Sequence, residues 1–194
     1  MKALAFLAAV PIEDPEQRSE TALAAAAGDL AAFELLMRQH ERLVLVTALR
    51  LLGNMADAQD VSQEVFLRLY KNLGKLESHH VAGWLYRVTV NASHDLRRRR
   101  PAADPMECAA TIPALGNDPQ QDATEAERRR VLEMSLRMLS EKERAALVLR
   151  DLQGLSTEEV ARALGSSEAT VRSQVSKARI KVKDFVERYF RRRT

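Results

Sequence analysis

The chain has 194 residues, 46% hydrophobic, 29% charged and only 5% aromatic, enough at roughly 100–200 residues per domain for one or two compact units. A single cysteine, Cys108, excludes a disulfide scaffold and a four-cysteine zinc site. No stretch approaches the roughly 18 apolar residues of a membrane span.

Seven glycines and six prolines leave little material for a turn-rich β-sandwich. The net charge of +3 hides an uneven distribution. Residues 1–100 carry 13 basic and 12 acidic side chains, residues 101–127 carry none and 6, and residues 128–194 carry 17 and 9. Arginine outnumbers lysine 23 to 7. A basic final third favours an anionic partner such as nucleic acid, and arginine forks suit phosphates and base edges.

Lys2 followed by the apolar run Ala3–Val10 resembles the start of a secretory signal, but Pro11-Ile12-Glu13-Asp14 offers no Ala-x-Ala cleavage site. The segment reads instead as a leader or the first turn of a helix, and the protein is expected in the cytoplasm without direct membrane insertion.

From Thr21 to Leu52 the sequence predicts helix, with Asp29 as a capping residue and Leu30, Phe33, Leu36, Met37, Leu43, Val44, Val46 and Leu51 at three- and four-residue steps. Gly53-Asn54 ends it. A second helix is expected from about Asp57 to Leu73, burying Val61, Val65, Phe66, Leu67, Leu69 and Tyr70. After Gly74 and a polar loop over Lys75–His80, a third runs from about Val81 to Arg100, its apolar stripe being Trp84, Leu85, Val88, Val90 and Leu96. Pro101 closes it, because proline cannot continue the helical hydrogen bonding.

Residues 101–127 hold four prolines, six acids and no base, the composition of a linker. Further helices are expected at about 126–139, 141–152, 157–164 and 167–190. Ser140 with Glu143, and Ser156 with Glu159, have the spacing of capping boxes. The chain thus reads as all-α, two small helical domains joined by a flexible acidic linker.

The sharpest local signal lies between Ser156 and Ala178. A short helix ends at Gly165, a residue that adopts a left-handed turn at least cost, and Val171 and Val175 in the next helix can pack back on Val160 and Leu164. This is the pattern of a helix-turn-helix, whose second helix enters the major groove; an ordinary helical hairpin is the plainer alternative. With Val171 and Val175 inward, Ala169, Arg172, Ser173, Ser176 and Lys177 point outward. Arg172 suits a guanine edge, whereas Lys177, Arg179, Lys181 and Lys183 suit the phosphate backbone. A second signal is the third helix, where Trp84, Leu85, Tyr86 and Arg87 precede Asn91, Asp95 and Arg97–Arg100. A basic helix with nearby aromatics can hold melted nucleic acid by stacking and phosphate contact, although a tryptophan there also suits a core anchor.

Taken in order, Asp57–Tyr70, then Trp84–Arg87 with Asn91, Asp95 and Arg97-Arg98, then the helix-turn-helix, the sequence resembles the extracytoplasmic-function (ECF) sigma factors of bacterial RNA polymerase over about residues 25–190. The resemblance implies a region-two domain at 25–100, a linker at 101–127 and a region-four domain at 128–194, which leaves residues 1–24 as a leader outside it. It implies that Asp60, Gln63 and Glu64 meet the clamp helices of the largest subunit of core RNA polymerase. Trp84, Arg87, Asn91, Asp95, Arg97 and Arg98 would serve the minus-ten element of promoter DNA. Ser167, Ala169, Thr170, Arg172, Ser173, Ser176, Lys177 and Arg179 would serve the minus-thirty-five element. The acidic linker resembles the family's linker toward the active-site and RNA-exit channels, and its charge would suit mimicry of RNA. An anti-sigma factor is an expected partner. The pair His79-His80 and the apolar leader are not family motifs.

Two other classes compete with this reading. A stand-alone helix-turn-helix regulator would bind duplex tightly without polymerase and would need no acidic partner face on the 57–70 helix. An enzyme would need a constellation that His40, His79, His80, His94 and Cys108 do not form by spacing, and no glycine-rich phosphate loop exists. No catalytic residue, metal, cofactor or small-molecule substrate is therefore expected.

Overall fold

The computed structural model describes residues 15–76, 81–99 and 119–191. The leader Met1–Val10, the pair His79-His80, Arg100 and the linker up to residue 118 lie outside the described residues. Within them, all regular structure is helical: α1 (Pro15–Ala26), α2 (Leu30–Leu52), α3 (Met55–Asn72) with a 3-10 turn at Leu73–Lys75, α4 (Val81–Arg99), α5 (Pro119–Arg137), α6 (Glu141–Leu147) with a π-helical turn at Val148–Leu152, α7 (Thr157–Leu164) and α8 (Glu168–Arg191).

The single helix expected over 21–52 is two helices. Gly28 takes a φ of 100°, and the Asp29 carboxylate accepts from the amides of Ala31 and Ala32 at 2.8 and 3.1 Å. A cap of this kind is worth about 1 kcal/mol and starts a new helix at Leu30. Helix α5 begins at Pro119 rather than near residue 126. Proline at the first helical position loses no intrahelical bond, so the start of this helix takes up the end of the expected linker.

Helices α1–α4 enclose one apolar cluster in which Leu36, Val44, Val61, Val65, Leu69 and Leu85 are at most 1% exposed. Asn54 ties the entry to α3, its side-chain oxygen accepting from the Asp57 amide at 2.8 Å and its amide nitrogen donating to the Asp57 carboxylate at 2.8 Å. In α5–α8 the two capping boxes expected from the sequence are present at Ser140/Glu143 and Ser156/Glu159. Gly165 takes the left-handed conformation at φ 59°, closing α7. Beneath it Val160, Val171, Val175 and Ala178 are buried together.

The two domains dock. Leu51 of α2 and Tyr86 and Val90 of α4 belong to the same buried cluster as Leu136, Val148, Leu149 and Val160 of the second domain. Helix α4 therefore has two buried stripes. Val81, Leu85 and Ala92 face the first core, and Tyr86 and Val90 face the second.

Candidate nucleic-acid interface

Around α8 the exposed face is built from local geometry. The Ser167 hydroxyl accepts from the Thr170 amide at 3.2 Å and starts the helix. With Val171 and Val175 locked inward, Ala169, Thr170, Arg172, Ser173, Ser176 and Lys177 are all exposed. Arg172 carries an exposed 2.9 Å ion pair with Glu168 one turn before it. Such a surface pair is weak and readily exchanged.

Past Lys177 the basic residues differ in kind. Arg179 donates twice to the Asp151 carboxylate, at 2.8 and 2.7 Å, and these bonds hold its guanidinium charged above the usual arginine range. Lys181 donates to both oxygens of the buried Glu143 at 2.7 and 2.8 Å. Those contacts, with the serine cap, pull the Glu143 carboxyl down to about 2. Two of the cations expected on phosphates thus brace α8 against α6 and its π-helical turn. Lys177 makes no ion pair among the described residues.

On α4 the expected minus-ten residues split by helical angle. Arg87, Asn91 and Arg98 are exposed and Asp95 is half-buried, so the four recur on one open stripe. Asp95 accepts from Arg98 at 2.8 Å. Arg97 lies off this stripe. It lies on the stripe of Tyr86, Val90 and His94, donates to the Leu51 carbonyl at 3.5 Å and sits 3.7 Å from Glu141. Burial on this stripe pushes the His94 imidazole down and the Tyr86 hydroxyl up to about 12. Trp84 is half-buried. It packs on the first core while lining, with Arg87, a cleft of about 470 Å³ whose far wall is Glu159 and Arg162 of α7.

Helix α3 supplies a third surface. Its buried stripe is Ala58, Val61, Val65, Phe66 and Leu69, but Leu67 and Tyr70, expected inside, are 61% and 58% exposed. The reason is register. Leu67 and Tyr70 follow Asp60 and Gln63 at three- and four-residue steps and form a separate stripe. This stripe borders a groove of about 890 Å³ with Phe33, Met37, Glu34 and Glu41 of α2 across it. Phe33 and Tyr70 meet edge to face at 5.1 Å between ring centroids. Asp60 and Gln63 line the groove, whereas Glu64 pairs with Arg68 on its own helix. Sequence reasoning missed the α2 wall, and the signal available was the second apolar stripe at Leu67 and Tyr70.

Comparison with known proteins assigns the chain to a family. Residues 36–102 match Sigma-70 region 2 and residues 129–182 match Sigma-70, region 4. Over 185 residues the chain is 34% identical to the ECF RNA polymerase sigma factor SigE of Mycolicibacterium smegmatis, spanning 92% of this chain and 72% of the relative. The chain belongs to the ECF sigma-factor family. It is likewise 30% identical over 177 residues to the ECF RNA polymerase sigma-E factor of Escherichia coli, spanning 85% of this chain and 92% of that one. Among solved structures, CnrH in complex with the cytosolic domain of CnrY matches with a TM-score of 0.66 and 26% identity over 90% of this chain and 98% of CnrH. The sigma factor RpoE of Bartonella quintana, solved with the anti-sigma factor NepR, shares the fold at a TM-score of 0.64 and 23% identity, over 80% of this chain and 96% of RpoE.

This ECF sigma factor therefore directs RNA polymerase to promoters. Its region-two match falls on α2–α4 and its region-four match on α5–α8. No helix among the described residues is long and apolar enough to cross a membrane.

Proposed function

We propose that the three surfaces divide the work of promoter-specific initiation, and that the protein acts in the cytoplasm by binding alone, without chemistry of its own. The α2–α3 groove, with Asp60 and Gln63 on its wall and an apolar floor, takes the clamp helices of core polymerase. Acidic groups beside exposed Leu67 and Tyr70 suit an amphipathic helix with a basic edge. Glu64 acts there through Arg68 rather than by facing the groove.

The open stripe of α4 and Trp84 hold the melted minus-ten strand. Unstacking a base costs a few kcal/mol, and stacking on an aromatic returns about 1–3 kcal/mol per base. Arg87, Asn91, Asp95 and Arg98 line that strand. Arg97 acts at the domain contact in the free protein and becomes available for phosphate when that contact opens. On α8, Arg172 reads base edges with Ala169, Ser173 and Ser176 beside it. Ser167, Thr170 and Lys177 meet phosphates, and Arg179 does so only by leaving Asp151.

An anti-sigma factor is the expected regulator, of the kind that NepR is for RpoE. The single observation that carries the reading is the coexistence, on one fold matching regions two and four, of an exposed helix-turn-helix face and a separate acidic-apolar groove. A regulator that worked without polymerase would have no use for the second. Run-off transcription with bacterial core polymerase on fragmented DNA from the protein's own source tests it. Discrete transcripts are expected only when both components are present. Tight binding to bare duplex with no transcripts would move the protein to the regulator class.

A further inference from the structure

Three arginines converge where α2 meets α5 and α6. Arg144 of α6 is 4% exposed, and its guanidinium donates to the Leu51 carbonyl in the last turn of α2 at 2.8 Å. The same group donates to the carbonyls of Leu136, Arg137 and Leu139 at the end of α5, at 2.7, 3.1 and 3.2 Å. Arg137 donates to the Gly53 carbonyl at 3.2 Å. A Cβ at Gly53 would stand 3.3 Å from the Arg137 Nε, so the glycine leaves room for that approach. Arg50 of α2, 8% exposed, donates to the Leu152 carbonyl at 2.9 Å through one amino group. Its other amino group is buried and has no hydrogen-bond partner within the chain.

These three side chains line one small cavity of about 20 Å³, whose other walls include Leu49, Leu136 and Glu133. A space of roughly 10–15 Å³ is enough for one water-sized particle, so the cavity takes a single small ion or water and excludes larger groups. Its charge is one-sided. Three guanidinium groups stand against one carboxylate, and Glu133 is itself drawn by Arg137 and Arg129. Among the described residues neither Arg50 nor Arg144 makes an ion pair, and burial lowers both guanidinium groups to about 10. Carbonyl oxygens answer the N–H donors of these arginines but leave their charge without a counter-charge, which is costly in a buried place. A water in the cavity would satisfy the remaining Arg50 donor and leave that cost standing. A monatomic anion satisfies the donor and offsets the charge together.

We propose that this cavity is a binding site for one halide ion of the size of chloride, held by the unpaired amino group of Arg50 within the field of Arg137 and Arg144. Polyatomic anions such as gluconate are too large for it. The site joins α2 to α5 and α6, so occupancy stabilises the docked pair of domains by mass action. The polymerase groove and the promoter-reading faces take no part, and the inference stands apart from the function proposed above.

Two measurements on the full chain test the site. In the first, thermal melts are recorded at fixed ionic strength while sodium chloride replaces sodium gluconate. The melting point is expected to rise by about 3–6 °C once chloride exceeds its dissociation constant about tenfold. Bromide should act likewise. Arg50→Gln keeps a polar side chain and removes the charge, and its melting is expected not to depend on the anion. A parent melting point that stays flat as chloride replaces gluconate would overturn the proposal, as would an equal rise in the variant.

The second measurement uses crystals grown in sodium bromide, with diffraction recorded at the bromine absorption edge. An anomalous peak in the cavity, in contact with Arg50, is expected. Density there without an anomalous signal would mean a water and refute the halide. A peak unaccompanied by any halide dependence of melting would mark an adventitious ion only, and would refute the proposal equally. If Arg50→Gln does not fold, the parent's melts and the anomalous map decide without it.

Discussion

The two domains reach their surfaces by different means. In α5–α8 each turn is fixed within a few residues: two serine caps answered by glutamates three positions on, a left-handed Gly165, and a short π-helical turn. The exposed face of α8 follows from the spacing of Val171 and Val175. In α1–α4 each helix meets more than one neighbour. Helix α4 buries one stripe in its own domain and a second against α7, and α3 pairs a buried stripe with an exposed apolar one. Local capping fixes a surface at short range, whereas long-range packing decides which of several apolar stripes becomes a surface at all.

The sharpest way to break this comparison is at the groove. Asp60→Arg with Leu67→Asp is expected to weaken binding to core polymerase by roughly 2–5 kcal/mol, since reversing an interfacial charge adds repulsion to the lost contact. Circular dichroism should stay unchanged, because both side chains are exposed. Titration against labelled core polymerase reads the effect.

Next in size, Arg172→Ala should cost about 1–3 kcal/mol on a cognate upstream duplex and less on scrambled DNA. Trp84→Ala should cost about 1–3 kcal/mol on a template already melted at the minus-ten element, with its partial burial adding a smaller loss of thermal stability.

Glu143→Gln addresses the second domain's own stability. The folded carboxyl is held at about 2, chiefly by Lys181, below its unfolded range. Its contribution is thus complete above the ordinary carboxylate range and is lost as the pH falls toward 2. Replacement is expected to cost about 1–2 kcal/mol near neutrality through the cap and the charged hydrogen bond. The difference from the parent should vanish at about pH 2, as followed by thermal melts. Smallest of all, Lys177→Ala should weaken every duplex alike and reduce the salt slope of binding by about 1.

How much was legible in the sequence follows the same division. The boundaries of α7, both capping boxes and the outward residues of α8 were readable because each depends on neighbours within one turn. Leu67 and Tyr70 were misread as buried because an apolar residue on a helix does not reveal which partner covers it. Arg97 and Arg179 were expected at DNA from their charge and from the family resemblance, an expectation that their contacts within the chain do not test. The partners they hold within the chain, Leu51 and Asp151, are separated from them by 46 and 28 residues and become visible only in the fold. The docking of the domains had no sequence signature, because Arg50, Arg137 and Arg144 cap backbone carbonyls, which every residue carries.

The central claim is that polymerase binding and upstream DNA reading reside on separate surfaces of one chain. The most direct test crosses the two substitutions with the two ligands: Asp60→Arg and Arg172→Ala, each titrated against core polymerase alone and, as the isolated equilibrium, against upstream duplex. The account predicts that Asp60→Arg loses polymerase affinity and keeps the weak affinity for duplex, while Arg172→Ala does the reverse. Loss of both affinities in either variant, with the fold intact, would contradict it.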